Sequence, residues 1–147
     1  MIKSGKDGDR TNEGASFRLI VQKLSPLFLR PDLQLVILFG SQAGGKTRAE
    51  SDVDLAIQGD GPLDLVALAT EVIRLLQRSD VDLIDLRRAG PLLKMEVVRG
   101  GKLLFEKSPG LYLAFCSLAT CRYIDTRKLR EARKEGIDRF LEQRGLS

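Results

Sequence analysis

The chain has 147 residues, enough for one domain with a real hydrophobic core. It contains no histidine, which excludes Ser-His and Cys-His nucleophilic catalysis and histidine-ligated metal sites and leaves carboxylates as the catalytic groups. Its net charge of +4 is uneven: residues 1–86 sum to −3 and residues 87–147 to +7. The basic half suits an acidic protein, a triphosphate or plain solvated helix faces. It lacks the aromatic interleaving of single-strand binders, so no direct nucleic-acid binding is expected. No apolar run reaches the length of a membrane span and no signal-peptide core opens the chain, so the expected compartment is the cytoplasm. Cys116 and Cys121 have neither disulfide-framework nor zinc spacing and read as ordinary thiols.

In chain order, residues 1–15 are polar and glycine-containing and read as a disordered tail. Ser16 is placed to cap a helix running to about Leu29, with Phe17, Ile20, Val21, Leu24, Leu27 and Phe28 at helical spacing and Pro26 as a break near its end. Gln34 to Phe39 is apolar on both faces and predicts a central strand. A glycine-rich loop, residues 40–50, leads to Ser51-Asp52-Val53-Asp54-Leu55-Ala56-Ile57, whose alternation predicts a second strand over 51–58. Pro62 is well placed at the start of a helix over Leu63 to Arg78, and Val81 to Leu86 reads as a third strand. Leu92 to Arg99 fits either a short helix or the first arm of a hairpin turning at Gly100-Gly101. A strand over Leu103 to Glu106 follows. Ser108-Pro109 is a cap and first-turn pair for a final helix from Leu111 to about Arg144, with Gly136 as a candidate break.

Alternation puts Asp52 and Asp54 on one face of the second strand. Two carboxylates so placed repel unless something positive lies between them, and a hard divalent cation such as magnesium is the usual answer. Gly40-Ser41 ends the preceding strand, where backbone N–H groups can hold a phosphate tail. Residues 40–47 also satisfy the P-loop pattern G-x-x-x-x-G-K-[ST], with Lys46 as its lysine. A P-loop requires a helix opening at Lys46-Thr47, and the residues that follow show no helical apolar stripe, so the match is read as chance.

Residues 40–55 resemble the nucleotidyltransferase pattern of the DNA polymerase β superfamily, Gly-Ser, a spacer, then Asp-x-Asp. They are most similar to the minimal nucleotidyltransferases, with Gly40, Ser41, Ala43, Gly45, Arg48, Ser51, Asp52, Asp54 and Leu55 in place. Gln42 and Gly44 stand where many relatives carry a basic residue. Further along, VDLIDLRRA, GKLLFE and Tyr123-Ile124-Asp125-Thr126-Arg127 resemble the branch encoded beside HEPN-domain ribonuclease toxins, and the likeness covers about residues 16 to 135.

The resemblance implies an α/β (α+β) polymerase β-like fold, with a small mixed sheet flanked by helices and a long C-terminal helix. It implies a core over 16–107 with a helical extension of the same domain over 108–147. It implies Asp52, Asp54 and a third aspartate as catalytic residues and ligands of two magnesium ions. Val81-Asp82-Leu83 matches the pattern of that third position, so Asp82 is chosen over Asp85, which reads as a strand-end group. Gly40, Ser41, Arg48 and Ser51 are implied on the nucleotide. The activity implied is AMP transfer from ATP to a tyrosine of a HEPN toxin, in an antitoxin role. A toxin-masking protein without catalysis and a transferase acting on a small molecule are the alternatives. The second half of the final helix, about Thr126 to Arg144, reads as an interface for the toxin or for a second copy of the chain.

Overall fold

The computed structural model describes residues 7–40 and 52–146, with backbone alone for 7–15. Its elements are α1 (Asp7–Leu24), β1 (Leu33–Phe39), β2 (Val53–Gly59), α2 (Leu65–Leu76), β3 (Val81–Asp85), α3 (Pro91–Gly100), β4 (Lys102–Glu106) and α4 (Leu111–Gln143). The strands form one mixed sheet in the order β3-β2-β1-β4. β1 pairs antiparallel with β2 and with β4, and β2 pairs parallel with β3, joined through the crossover helix α2.

β1 is central because both of its faces are apolar. Leu35, Val36, Ile37 and Leu38 are all within 1% of fully buried, so the strand has no solvated face and needs cover on both sides. Its alternate residues feed two cores. Val36 and Leu38 join Leu24, Leu27, Leu55, Leu68 and Val72 under α1 and α2. Leu35 and Ile37 join Ala56, Leu86 and Val97 under α3 and α4. Phe28 stacks on Phe105 with ring centroids 4.9 Å apart, tying the turn after α1 to β4. Arg30 bridges Asp32 and Glu71 at 3.1 and 3.2 Å, fastening the entry of β1 to α2.

Several boundaries differ from the sequence expectation. α1 begins at Asp7, so residues 7–15, expected in a disordered tail, are helical, and Ser16 lies inside the helix rather than capping it. No proline interrupts the stretch before Pro26, and the helix ends at Leu24; Leu27–Leu29 then form a single 3-10 turn instead of a continuation. α2 is capped by Asp64, whose carboxylate accepts from Ala67 N–H at 3.1 Å, not opened by Pro62. Residues 91–100 are helix, and the turn to β4 is so tight that a Cβ on Gly101 would sit 2.3 Å from Val97 O and 2.7 Å from Ile37 Cγ2. α4 is capped by Gly110 at φ 95° rather than by Ser108-Pro109. Its first N–H groups are met by the Glu106 carboxylate, at 3.0 Å from Tyr112 N. Gly136 does not interrupt it.

α4 outruns the domain. Its first half packs on α3 and the sheet, ending where Arg99 and Arg130 flank the Tyr123 ring at 5.2 and 4.3 Å. Beyond that point Leu129, Ile137 and Phe140 are more than half exposed. A chain ending at Asp125 should therefore unfold within a few degrees of the full chain, whereas Leu38→Ala, with its side chain fully buried, should cost about 2–5 kcal/mol. Thermal melts and urea titrations of the two variants measure both.

Candidate active site

Gly40 closes β1 at φ +77°, in the left-handed region, and its backbone lies directly against Asp54: a Cβ there would be 2.3 Å from Asp54 Oδ2. Two requirements thus fall on one residue, a left-handed turn and a missing side chain. Phe39, just before it, is the cross-strand partner of Asp54.

The parallel pairing of β2 and β3 sets Asp54 opposite Asp82, Val53 opposite Val81 and Leu55 opposite Leu83. Directly opposed residues share a face, about 5 Å apart at Cβ. Asp52, two residues before Asp54, belongs to the same face. That face carries Ala56 and Ile84 and runs under α3 and α4, but those helices pack over β1 and β4. Asp52 and Asp82 are consequently exposed, and Asp54 is half-buried. Burial, then the charge of Asp82, then that of Asp52 raise the Asp54 carboxyl above its ordinary value.

Asp85 is placed differently. It is 7% exposed and three residues from Asp82, so it faces the other side of the strand. Its Oδ1 accepts from Arg87 N–H at 2.9 Å, and its carbonyl accepts from Arg88 and Ala89 N–H at 3.1 Å. It organises the turn after β3. Of the expected nucleotide-binding residues, Gly40 is beside the carboxylates, while Ser41, Arg48 and Ser51, and with them Lys46, lie outside the described residues.

Sequence reasoning passed over Arg78. Gln77 ends α2 in the left-handed conformation at φ 55°, and Arg78 then turns back to hold Asp80, with Nε 2.8 Å from Oδ1. The Asp80 carbonyl accepts from Val53 N–H at 2.9 Å, so this pair anchors the first rung of the β2–β3 ladder. Asp80, and more weakly Asp52, raise the Arg78 guanidinium. An Arg-x-Asp pair between a helix and a strand was the available signal.

Three carboxylates lie along one face, one of them raised by burial and by its two like-charged neighbours, and hard oxygens of this kind could serve a magnesium-like cation. Among the described residues no three acidic or thiol groups are closed on each other as a finished metal cage. The electrostatic coupling of Asp52, Asp54 and Asp82 is nevertheless direct. The open arrangement is the one expected of ligands that must also admit a substrate.

The family model described as Polymerase beta, Nucleotidyltransferase matches residues 22–110, more than half of the chain. The chain belongs to this nucleotidyltransferase family. The nucleotidyltransferase is 44% identical over 78 residues to the protein adenylyltransferase MntA of Shewanella oneidensis, covering 51% of this chain and 55% of that one. The chain thus spans little more than half the length of that curated relative. Over most of its length it is similar to a chain of a crystal structure of a toxin-antitoxin with AMP-PNP, at 31% identity and a TM-score of 0.68, covering 82% of this chain and 97% of the other. It is also similar to a chain of the tri-AMPylated Shewanella oneidensis HEPN toxin in complex with MNT antitoxin, at 30% identity and a TM-score of 0.64, with coverages of 85% and 98%. The mixed sheet with flanking helices and a long last helix is the polymerase β-like architecture that the family resemblance implied.

Because its pKa is raised, Asp54 favours the folded state when protonated. That contribution is complete below the ordinary carboxylate range and is lost as pH rises through the raised value. In cation-free buffer Asp54→Asn should therefore melt higher than the parent chain near neutral pH, with the gap closing on acidification; melting curves across pH 3–8 (roughly the carboxylate range and above) test this. Gly40→Ala should leave the chain folded but push Asp54 out of place, lowering activity about 100-fold or more, the scale of a 1 Å misplacement.

Proposed function

We propose that this chain is a protein adenylyltransferase of the cytoplasm that moves AMP from ATP to a tyrosine hydroxyl of a HEPN-type toxin and so acts as its antitoxin. The observation that carries this reading is the register of β2 and β3, which sets Asp82 beside Asp54 on the exposed face next to the Gly40 turn. It is joined by near-complete coverage of one chain in each of two solved toxin-antitoxin complexes.

Each residue has a part. Asp52, Asp54 and Asp82 would hold magnesium, two ions in the full site, which when bound supplies positive charge to the phosphates and lowers the barrier at the α-phosphorus. The Gly40 N–H, with Ser41, Ser51 and Arg48, holds the triphosphate. Asp82, on the edge strand and exposed, faces the acceptor and takes the proton of the tyrosine hydroxyl. The tyrosine oxygen attacks the α-phosphorus, a new phosphorus–oxygen bond forms, and the bond from the α-phosphorus to the bridging oxygen breaks. Pyrophosphate leaves with that electron pair, and the proton passes from Asp82 to water. Asp85, turned away and committed to its turn, takes no part.

The outer half of α4 is the natural place for the toxin to hold on. It carries exposed Leu129, Ile137 and Phe140 among basic side chains, and exposed apolar area of that kind marks a protein interface.

Co-expression with a HEPN partner encoded beside this chain, followed by mass spectrometry of the partner, is the test. An AMP adduct on tyrosine is expected. It should fall about 10²–10⁴-fold with Asp82→Asn, vanish with Asp52→Asn/Asp54→Asn, and persist with Asp85→Asn. A stable complex without adduct under Mg·ATP would replace transfer by masking.

A further inference from the structure

β3 is an edge strand: among the described residues nothing pairs with its outer side. The direction in which its backbone groups point follows from two hydrogen bonds. Asp80 O accepts from Val53 N–H, and Leu86 N–H donates to Ile57 O, both at 2.9 Å. In the evenly spaced ladder of a parallel pair, residues 80, 82, 84 and 86 then bond inward to β2. The N–H and C=O of Val81 and Leu83 point outward. Such an edge is commonly guarded by charged side chains, proline, bulges or covering loops; Val81-Asp82-Leu83-Ile84-Asp85 has no proline, and its charges are Asp82, on the carboxylate face, and Asp85, bound into its own turn.

Beside this edge runs a groove between α2 and β3. Its walls are Leu65, Val66, Ala69, Thr70 and Ile73 of α2 and Val81, Asp82 and Leu83 of β3. Val66 is 78% exposed and Ile73 36%, on a helix that buries Leu68, Val72 and Leu76 on its other side. The groove lies on the α2 side of the sheet, and the carboxylate face lies on the other side. Asp82 belongs to both.

Resting on the transfer reading above, the geometry points to the outer edge of β3 and the α2 groove as the seat of the acceptor: an extended segment of the protein partner, carrying the acceptor tyrosine between apolar neighbours, adds to β3 as a further strand. Backbone pairing with Val81 and Leu83 supplies affinity, and alternate side chains supply specificity. A residue opposite Asp82 in the added strand projects to the face of Asp82 and Asp54, about 5 Å from Asp82 at Cβ. Its two neighbours project to the other face, over Val66, Thr70 and Ile73. A tyrosine flanked by apolar residues satisfies both sides at once. An acidic segment does not, because it would add charge beside three aspartates. Continuity between the groove and the carboxylate site commits it to the acceptor segment: whatever lies there is delivered to Asp82.

The test uses the full chain, its HEPN-type partner and ATP labelled in the α-phosphate. Thr70→Arg and Val66→Lys stand on exposed positions of the groove, away from the carboxylates. They should raise KM for the protein acceptor about tenfold, equivalent to 1.4 kcal/mol, with ATP binding and melting temperature unchanged. Hydrogen exchange gives a reading independent of chemistry: the outward amides of Val81 and Leu83 should gain protection when the partner binds. Transfer by both variants at the parent KM, or unprotected amides in a complex that does transfer, overturns the docking site and leaves the transfer reading intact. Protected amides in a complex that never transfers overturn the transfer reading and keep the docking site.

Discussion

Everything at the site depends on aligning like charges. Asp52, Asp54 and Asp82 are brought onto one face by strand alternation and by the parallel register of β2 and β3. Partial burial, and then the charges of Asp82 and Asp52, hold Asp54 above its normal range. This alignment works against folding, and the rest of the domain offsets it. β1 buries both faces, two separate cores form above and below the sheet, and the Arg78–Asp80 pair fastens the first rung of the ladder. A cation that binds the aligned carboxylates and not the unfolded chain returns stability by mass action.

The position of the acids within the sheet explains why the domain is lopsided. α3 and α4 cover β1, β4 and the Ala56 and Ile84 end of β2 and β3, leaving the end with Asp52, Asp54 and Asp82 more open. The helix between β2 and β3, α2, covers the opposite face through Leu68, Val72 and Leu76. Among the described residues no helix lies over the aspartate end, so a site there is reached from the β3 side.

Much of this was legible in the residues. The apolar run before Gly40 could only be a central strand, and the period of two over residues 52–57 fixed which acids share a face. Three-residue spacing set Asp82 and Asp85 on opposite faces, and only the likeness of Val81-Asp82-Leu83 to the family pattern chose between them. What resisted reading was local competition for helix ends. Pro62 and Ser108-Pro109 carry sound start signals, yet Asp64 and Gly110 won, because Asp64 bonds Ala67 N–H and Glu106 reaches forward from β4 to meet Tyr112 N–H. The second joins a strand end to a helix start six residues on, a pairing outside the usual capping motifs. The extent of α1 was missed because polar, glycine-containing sequence argues for disorder by composition, while nothing in it forbids a helical backbone up to Pro26. Arg78 was missed because its importance arises from a register contact, not from a motif.

The outer half of α4 also bears on how long the molecule lasts. A helix half whose side chains are mostly exposed among the described residues opens locally at far lower free energy than the sheet. Proteolysis follows the population of such open forms. The turnover of the chain in a cell is then set by whether that half is covered, not by the stability of its core. A bound partner would lengthen its lifetime, and an excess of the chain over its partner would be trimmed.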